Sequence, residues 1–480
     1  MEHNRGAAIM MNARRHAPII HVLLLGCLMA LSACAAVPVQ ERRGLSERLP
    51  EQFIETGLAI EHTRVFWDRS FPSERLRADV LALPEGNFEL EAARARIEQT
   101  AAAHGLTEAE LLPSLNLGTD IERSRVKEVE EDAESTTLNL FTFNTALQWE
   151  ADIWGRLRNR EKAASLSYEE KQALADQTRL KLQALLVENW VIHHGARKLE
   201  RILAEQRETN TQYLDLTELR LIQGQGNGLD VLQQRGRLAA TGRALPPVIS
   251  TKRQAANAYA VLTGRFPERG DLPEDDWPGL EPLPALPSPR ELLIGRPDLR
   301  AAFLALRAAD HHVAAAVAER LPRLSVGLSY GESVDLLATM GKGTALRLTS
   351  GLLAPVFDAG RLEAQKAQRE AEARERLALL EQAMLEAVRQ VEDALIRERT
   401  LFDEQNTLCA EISIAHDRVE KARLRYLNGQ ESYLAVLAAL EGLQALQVKE
   451  ITLRQDLLIN RCRLLKALGA NWSQDDEIYQ

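Results

Sequence analysis

Aromatic side chains are scarce, 5% of 480 residues, and the chain has only four cysteines. The first shortage argues against a mixed-sheet enzyme, and the second against a disulfide scaffold. Basic residues are not in excess either: the net charge of -10 is spread through both halves, so no basic face is offered to nucleic acid. A Gly-rich phosphate loop, a zinc-ligand spacing and a nucleophile elbow are all missing, which leaves an enzyme assignment without residues to carry it. The histidine pairs His193-His194 and His311-His312 do not change this. Neighbours on a helix point about 100° apart, so neither pair chelates by itself. No metal and no dissociable cofactor are expected. The apolar run from Ile19 to Leu31 is too short to cross a bilayer as a mature helix.

Ala, Leu, Glu, Arg and Gln fill the long stretches instead, and 27% of residues are charged, a composition of long helices. A chain of 480 residues exceeds one ordinary core, so two or more structural units are expected. Its start reads as an export signal. Arg14 and Arg15 precede the apolar run, and "LSAC", Leu31 to Cys34, closes it with a small-residue cleavage site that resembles a bacterial lipoprotein box. Residues 1–33 are then a signal peptide, and Cys34 a lipidated N-terminus carrying S-diacylglycerol and N-palmitoyl groups, with 34–86 as the anchored segment. Ala35 is not Asp, which by analogy with lipoprotein sorting favours the outer membrane. Cys409 and Cys462 fall in helical stretches and are expected as small core residues rather than as a disulfide.

A duplication organises the rest. "RLIQGQGNGLDVLQQ" at Arg220 to Gln234 and "RYLNGQESYLAVLAA" at Arg425 to Ala439 share Arg, Gly-Gln and Leu-x-Val-Leu at a shift of 205 residues. The same shift pairs Gly155-Arg156 with Gly360-Arg361 and Gly264 with Gly469, and upstream it becomes 209, pairing Pro113 with Pro322. Two repeats result, 87–264 and 297–470, joined by a linker at 265–296 and followed by a tail at 471–480. The stretch from Arg265 to Pro297 holds eight of the 18 prolines and is expected as an extended band around the helices.

Within each repeat the hydrophobic period changes from helical to two, predicting strands at about 114–125 and 137–149, then 323–332 and 344–354. The acidic run at 127–135 joins the first pair, and Gly-rich "ATMGKGT" joins the second. After each hairpin comes a proline-free stretch, 156–223 and 361–428, in which Leu377, Leu380, Met384, Val388, Val391, Leu395 and Phe402 mark a coiled-coil stripe. Either helix would be roughly 100 Å long. Gly224 or Gly429 turns it into a returning helix of about 35 residues that ends at Gly264 or Gly469, and a short helix at about 88–112 or 297–320 covers the remaining length.

Four strands with one apolar face cannot close a barrel, and open edges in hydrocarbon cost several kcal/mol per unsatisfied group, so several chains must share one barrel. Here the sequence resembles the TolC-like outer membrane factor family, closest to its lipoprotein branch of drug and metal efflux subunits. The resemblance rests on "LQWEADIWGR" at 147–156, "APVFDAGR" at 354–361, the two Gly-Gln tips and "NRCRLLKALGANW" at 460–472. It implies a mainly α chain with a long coiled-coil tunnel, in a homotrimer whose twelve-stranded β-barrel sits in outer membrane lipid. Its partners would be a periplasmic adaptor and an inner membrane pump. Type I protein secretion uses the same kind of channel and stays open as an alternative. A periplasmic adaptor would carry one hairpin rather than two.

The tips then become the candidate site. Arg220, Gly224, Gln225, Arg425, Gly429 and Gln430 are expected to dock the adaptor, although each glycine also makes a helix turn possible. Asp230 stands where a gate carboxylate would lie, and equally where an anion favours a helix N-terminus. Tyr426 matches the family's tethering tyrosine, and a Tyr426–Asp230 hydrogen bond is expected. Ala435 and Ala438 replace acidic residues that the family often carries, leaving Glu431 as a substitute charge.

Overall fold

The computed structural model describes residues 50, 52–54, 67–126, 136–268, 270–273, 275–279, 283, 286, 288–334 and 344–470. Cys34, the signal peptide, the acidic loop at 127–135, most of the Gly-rich loop and the tail lie outside them. The elements run α1 (Trp67–Ser70), α2 (Glu74–Gly86), α3 (Phe88–Ala109), β1 (Ser114–Val126), β2 (Thr136–Ala151), α4 (Arg156–Ile222) and α5 (Gly228–Leu262). They continue as α6 (Leu292–Gly295), α7 (Pro297–Ala318), β3 (Arg323–Val334), β4 (Thr344–Leu353), α8 (Arg361–Leu427) and α9 (Tyr433–Ala467). Both long helices have 67 residues and both returning helices 35, so the duplication read from the sequence is a duplication of structure. The described chain divides into two units, one from Ile97–Glu170 and Ala302–Leu380, the other from Lys171–Ala301 and Glu381–Gln480 with the residues up to Arg96.

The first unit holds an antiparallel sheet in the order β1-β2-β3-β4. Directly paired residues share a face, and the register builds an unbroken row, Leu115, Leu147, Leu328 and Leu348, across all four strands. The next row on that face holds Leu117, Thr145, Tyr330 and Leu346. The opposite face carries Asn116, Ala146, Ser329 and Arg347 in one row and Gly118, Asn144 and Gly331 in the next. Leu115, Leu117, Leu346 and Leu348 are about 70% exposed, at 69%, 70%, 71% and 74%, so the protomer leaves its apolar face bare. Among the described residues the outer edges of β1 and β4 have no strand beside them. No described helix is long and apolar enough to cross a membrane.

Each hairpin hands over to a long helix through polar contacts. Asp152 accepts from the amides of Leu157 and Arg158 at 3.1 and 2.9 Å and so caps α4; Asp358 accepts from Leu362 at 2.9 Å and caps α8. Trp154 donates to the Pro322 carbonyl at 2.7 Å, tying the first hairpin to the start of β3.

The second unit is a bundle packed by helix seams. On α8 the buried seam runs Met384, Ala387, Val391, Ala394, Glu398, Leu401 and Leu408, steps of three, four or seven that follow a heptad, with Leu395 buried beside Ala394. Phe402, expected in this stripe, is 53% exposed, because the seam passes through Leu401 instead. Cys462 is buried as expected, whereas Cys409 is exposed on α8, one position beyond seam residue Leu408; both are free thiols.

Gly264 and Gly469 end the returning helices in the left-handed region, at φ 72° and 70°. Each closes a Schellman cap: Arg265 N–H reaches Ala260 O at 2.8 Å, and Ala470 N–H reaches Leu465 O at 3.0 Å. Each also lies against a second glycine backbone, since a Cβ on Gly264 would meet Gly86 O at 2.0 Å and one on Gly469 would meet Gly295 O at 2.6 Å. Asn87 then donates to Leu262 O and Arg296 to Ala467 O, both at 2.9 Å, so each short helix starts where a returning helix stops. This is the end-to-end junction expected from the helix lengths.

Among its described residues the linker between repeats has no helix or strand apart from α6, and it meets several helices. Asp271 accepts from Lys252 of α5 at 3.0 Å, Pro273 O faces His194 of α4 at 3.3 Å, and Pro278 O accepts from Arg454 of α9 at 2.8 Å. Trp277 and Leu286 anchor it, 8% and 2% exposed. The histidines are held by helix groups: His193 faces Lys252 O, His194 faces Trp190 O, and His311 faces the Asn159 side chain. Burial holds His193 and His311 below the ordinary imidazole range. Among the described residues no group of three or more potential metal ligands converges.

Candidate functional site at the helix tips

Both tips use the same backbone device. At the first, Gln225 N–H reaches Arg220 O at 2.9 Å and Gly224 N–H reaches Leu221 O at 3.1 Å. At the second, Gln430 N–H reaches Arg425 O at 2.9 Å and Gly429 N–H reaches Tyr426 O at 3.0 Å. These are paired Schellman caps with φ of 70° and 74° at the glycines. A Cβ at either glycine would meet nothing within 4 Å, so the positive φ, not space, requires glycine there. Gly224, Gln225, Arg425, Gly429 and Gln430 are exposed, and Arg220 is half-buried.

The side chains behind the tips depart from the expectation. Tyr426 is 6% exposed and its hydroxyl has no hydrogen-bond partner, so the bond to Asp230 is not made within the chain. Arg220 lies over the Tyr426 ring instead, its guanidinium carbon 4.4 Å from the centroid, and donates to Tyr426 O at 3.2 Å. A cation on an aromatic face is favoured by the ring quadrupole. Tyr433 packs edge-on against Tyr426 at 5.4 Å and donates to Gln234 at 2.7 Å. Burial raises the Tyr426 phenol above its usual range, Arg220 opposes this and Asp230 adds to it.

Asp230 is half-buried in the first turn of α5, where its amide is bonded to the capping Asn227 side chain at 3.1 Å. Glu431 is exposed but faces Arg425 at 3.7 Å, so it is a screened charge rather than a free one.

Sequence reasoning missed the polar ladder behind the tips. Gln234 donates to Asn210 O at 2.6 Å, Asn210 donates to Thr241 at 2.9 Å, and Gln444 accepts from Arg237 at 2.6 Å. Asn210 and Gln234 are fully buried and Gln444 is 2% exposed. Amide side chains at seam positions were the available signal. It names the positions and not their partners.

The family model for outer membrane efflux proteins matches residues 82–265 and 288–470, and the chain belongs to that family. It is thus an outer membrane channel subunit and not an enzyme. It is 28% identical over 468 residues to the pyoverdine export outer membrane protein OpmQ of Pseudomonas putida, covering 95% of this chain and 98% of that one. It is 25% identical to the cation efflux system protein CusC of Escherichia coli, covering 92% and 97%. Among solved structures it is similar to the outer-membrane channel OprN, with TM-score 0.85, 24% identity and coverage of 91% of this chain and 100% of that one. The open state of the Neisseria gonorrhoeae MtrE channel matches with TM-score 0.81 at 22% identity over 92% and 99%.

Proposed function

We propose that this chain is the outer membrane conduit of a tripartite efflux system, working as a homotrimer with a periplasmic adaptor and an inner membrane pump. The observation that carries this reading is the bare apolar face of a four-stranded sheet with two open edges. Three copies close it into twelve strands, so that no backbone edge meets lipid. The two similar tips give the trimer six, which suits a ring of adaptor hairpins. Relatives are named for pyoverdine, cations and toluene, so cargo choice belongs to the pump that feeds the conduit.

The chain belongs to the lipoprotein branch, anchored through Cys34. Palmitate labelling of cells should mark the wild type and not Cys34→Ala, while the variant still assembles because the barrel holds the membrane by itself. Equal labelling of both would remove the anchor.

At the tips, Asp230 supplies charge and Arg220 holds Tyr426. Removing the stack and hydrogen bond in Arg220→Ala forfeits about 1–3 kcal/mol of tip contact. Single-channel conductance in planar bilayers should therefore rise in Arg220→Ala and change little in Tyr426→Phe, which keeps the ring. Asp230→Ala should weaken cation preference, since three carboxylates leave the mouth. Unchanged conductance in Arg220→Ala together with unchanged selectivity in Asp230→Ala would move the constriction elsewhere.

A further inference from the structure

The two returning helices have equal length but unlike interiors. α5 contains Pro246-Pro247, where the 205-residue shift places Ile451-Thr452 in α9. Neither proline has an N–H, so the carbonyls of Gly242 and Arg243 lose their helical donors at adjacent positions, and the rings crowd the preceding turn. Two adjacent breaks are a cause of bending in a helix. Gly236 and Gly242 lie just before them, in positions held by Glu441 and Gln447 in the second copy, and a Cβ at either glycine would meet nothing within 4 Å. Packing therefore does not require glycine at either position, and glycine weakens a helix interior.

The two sides of the proline pair are held differently. On the far side from the tip, Lys252 is pinned by Glu200 at 2.5 Å and Asp271 at 3.0 Å, and Tyr259 by Asp79 at 2.8 Å. On the tip side the buried side chains of α5 are Val231, Gln234 and Thr241, one apolar among three, whereas the matching stretch of α9 buries Tyr433, Val436, Leu437, Ala439, Leu440 and Leu443 with Gln444 as its one amide. A segment held chiefly by polar bonds opens locally more readily than one held by apolar packing, because water replaces the bonds.

We propose that Pro246-Pro247 is a hinge present only in the first repeat, about which the tip-side half of α5 moves as a unit, latched to α9 through the Arg237–Gln444 and Tyr433–Gln234 hydrogen bonds. The duplication thereby gives each chain one rigid and one bending return helix. The moving half carries Asp230, so the hinge is a means by which the first tip changes position.

Amide hydrogen exchange on the assembled full-length protein tests this, and it reports the hinge whatever the conductance of the tip variants. Protection factors across 230–245 should be about tenfold lower than across 435–450. In Pro246→Ile/Pro247→Thr, which installs the residues of the second copy, that gap should close to about threefold or less. Equal protection in the wild type, or an unchanged gap in the double variant, would overturn the hinge. Should the double variant fail to assemble, Gln444→Leu decides: releasing the latch should lower protection across 230–245 and leave 250–262 as in the wild type. A fall of equal size on both sides of the prolines would refute the proposal.

Discussion

Glu398→Ala is expected to cost about 3–5 kcal/mol, the range for breaking a buried ion pair from one side. Glu398 sits in the α8 seam, and Arg461 of α9 donates to it at 2.5 Å, both side chains 6–7% exposed. Asn460 donates to the second carboxylate oxygen at 2.8 Å and to Ala394 O at 2.9 Å. Truncating Glu398 removes a carboxylate that a buried guanidinium and a buried amide both face, which is where the penalty comes from. Replacing both partners by apolar residues removes the charge as well, so Glu398→Leu/Arg461→Met should recover most of the loss. Circular dichroism at a fixed heating rate should place the single variant many degrees below wild type and the double variant close to it. A single variant that melts with the wild type would show that water already reaches the pair.

Leu328→Arg should be comparably severe for a different reason. Leu328 lies in the unbroken leucine row with Leu147 and Leu348, so an arginine there faces hydrocarbon once the barrel closes. A cation near the midplane of a barrel's lipid face costs about 2–4 kcal/mol, and the proposed trimer would carry it three times. Asn116→Arg on the other face, opposite Ala146, should be tolerated because it points into the polar interior. Folded yield in liposomes, read from heat-modifiable mobility on gels, should collapse for Leu328→Arg and hold for Asn116→Arg. The reverse order would mean that the two faces have been assigned the wrong way round.

The strands were legible because their period is local. Leu115, Leu117 and Ile121 alternate with polar neighbours, and the structure places β1 at Ser114–Val126, one residue from the expected end. Of the coiled-coil stripe, Leu380, Met384, Val391 and Leu395 are buried as expected for the same reason, whereas Leu377 and Val388 are half-buried. The stripe went astray at Phe402, since an aromatic residue beside Leu401 satisfies either phase of a heptad and only the facing helix selects one. Cys409 failed similarly: composition favours a buried thiol, yet the residue falls one position outside the seam. The candidate site divides along that line. Gly224 and Gly429 were readable from sequence because a left-handed cap is a property of one residue, whereas the bond between Tyr426 and Asp230 was a guess about partners and was not found.

By itself the sequence determined the duplication, the helix lengths, the glycine caps and the one-sided strands, each set by periodicity or by the φ of a single residue. Tertiary structure alone decided which polar groups meet. Arg220 covers Tyr426 across 206 positions, Arg461 finds Glu398 across 63, and Gln444 joins Asn210 across 234. Such pairs depend on the axial register of packed helices. A shift of one turn, about 5.4 Å, would exchange every partner while leaving each helix's own pattern unaltered.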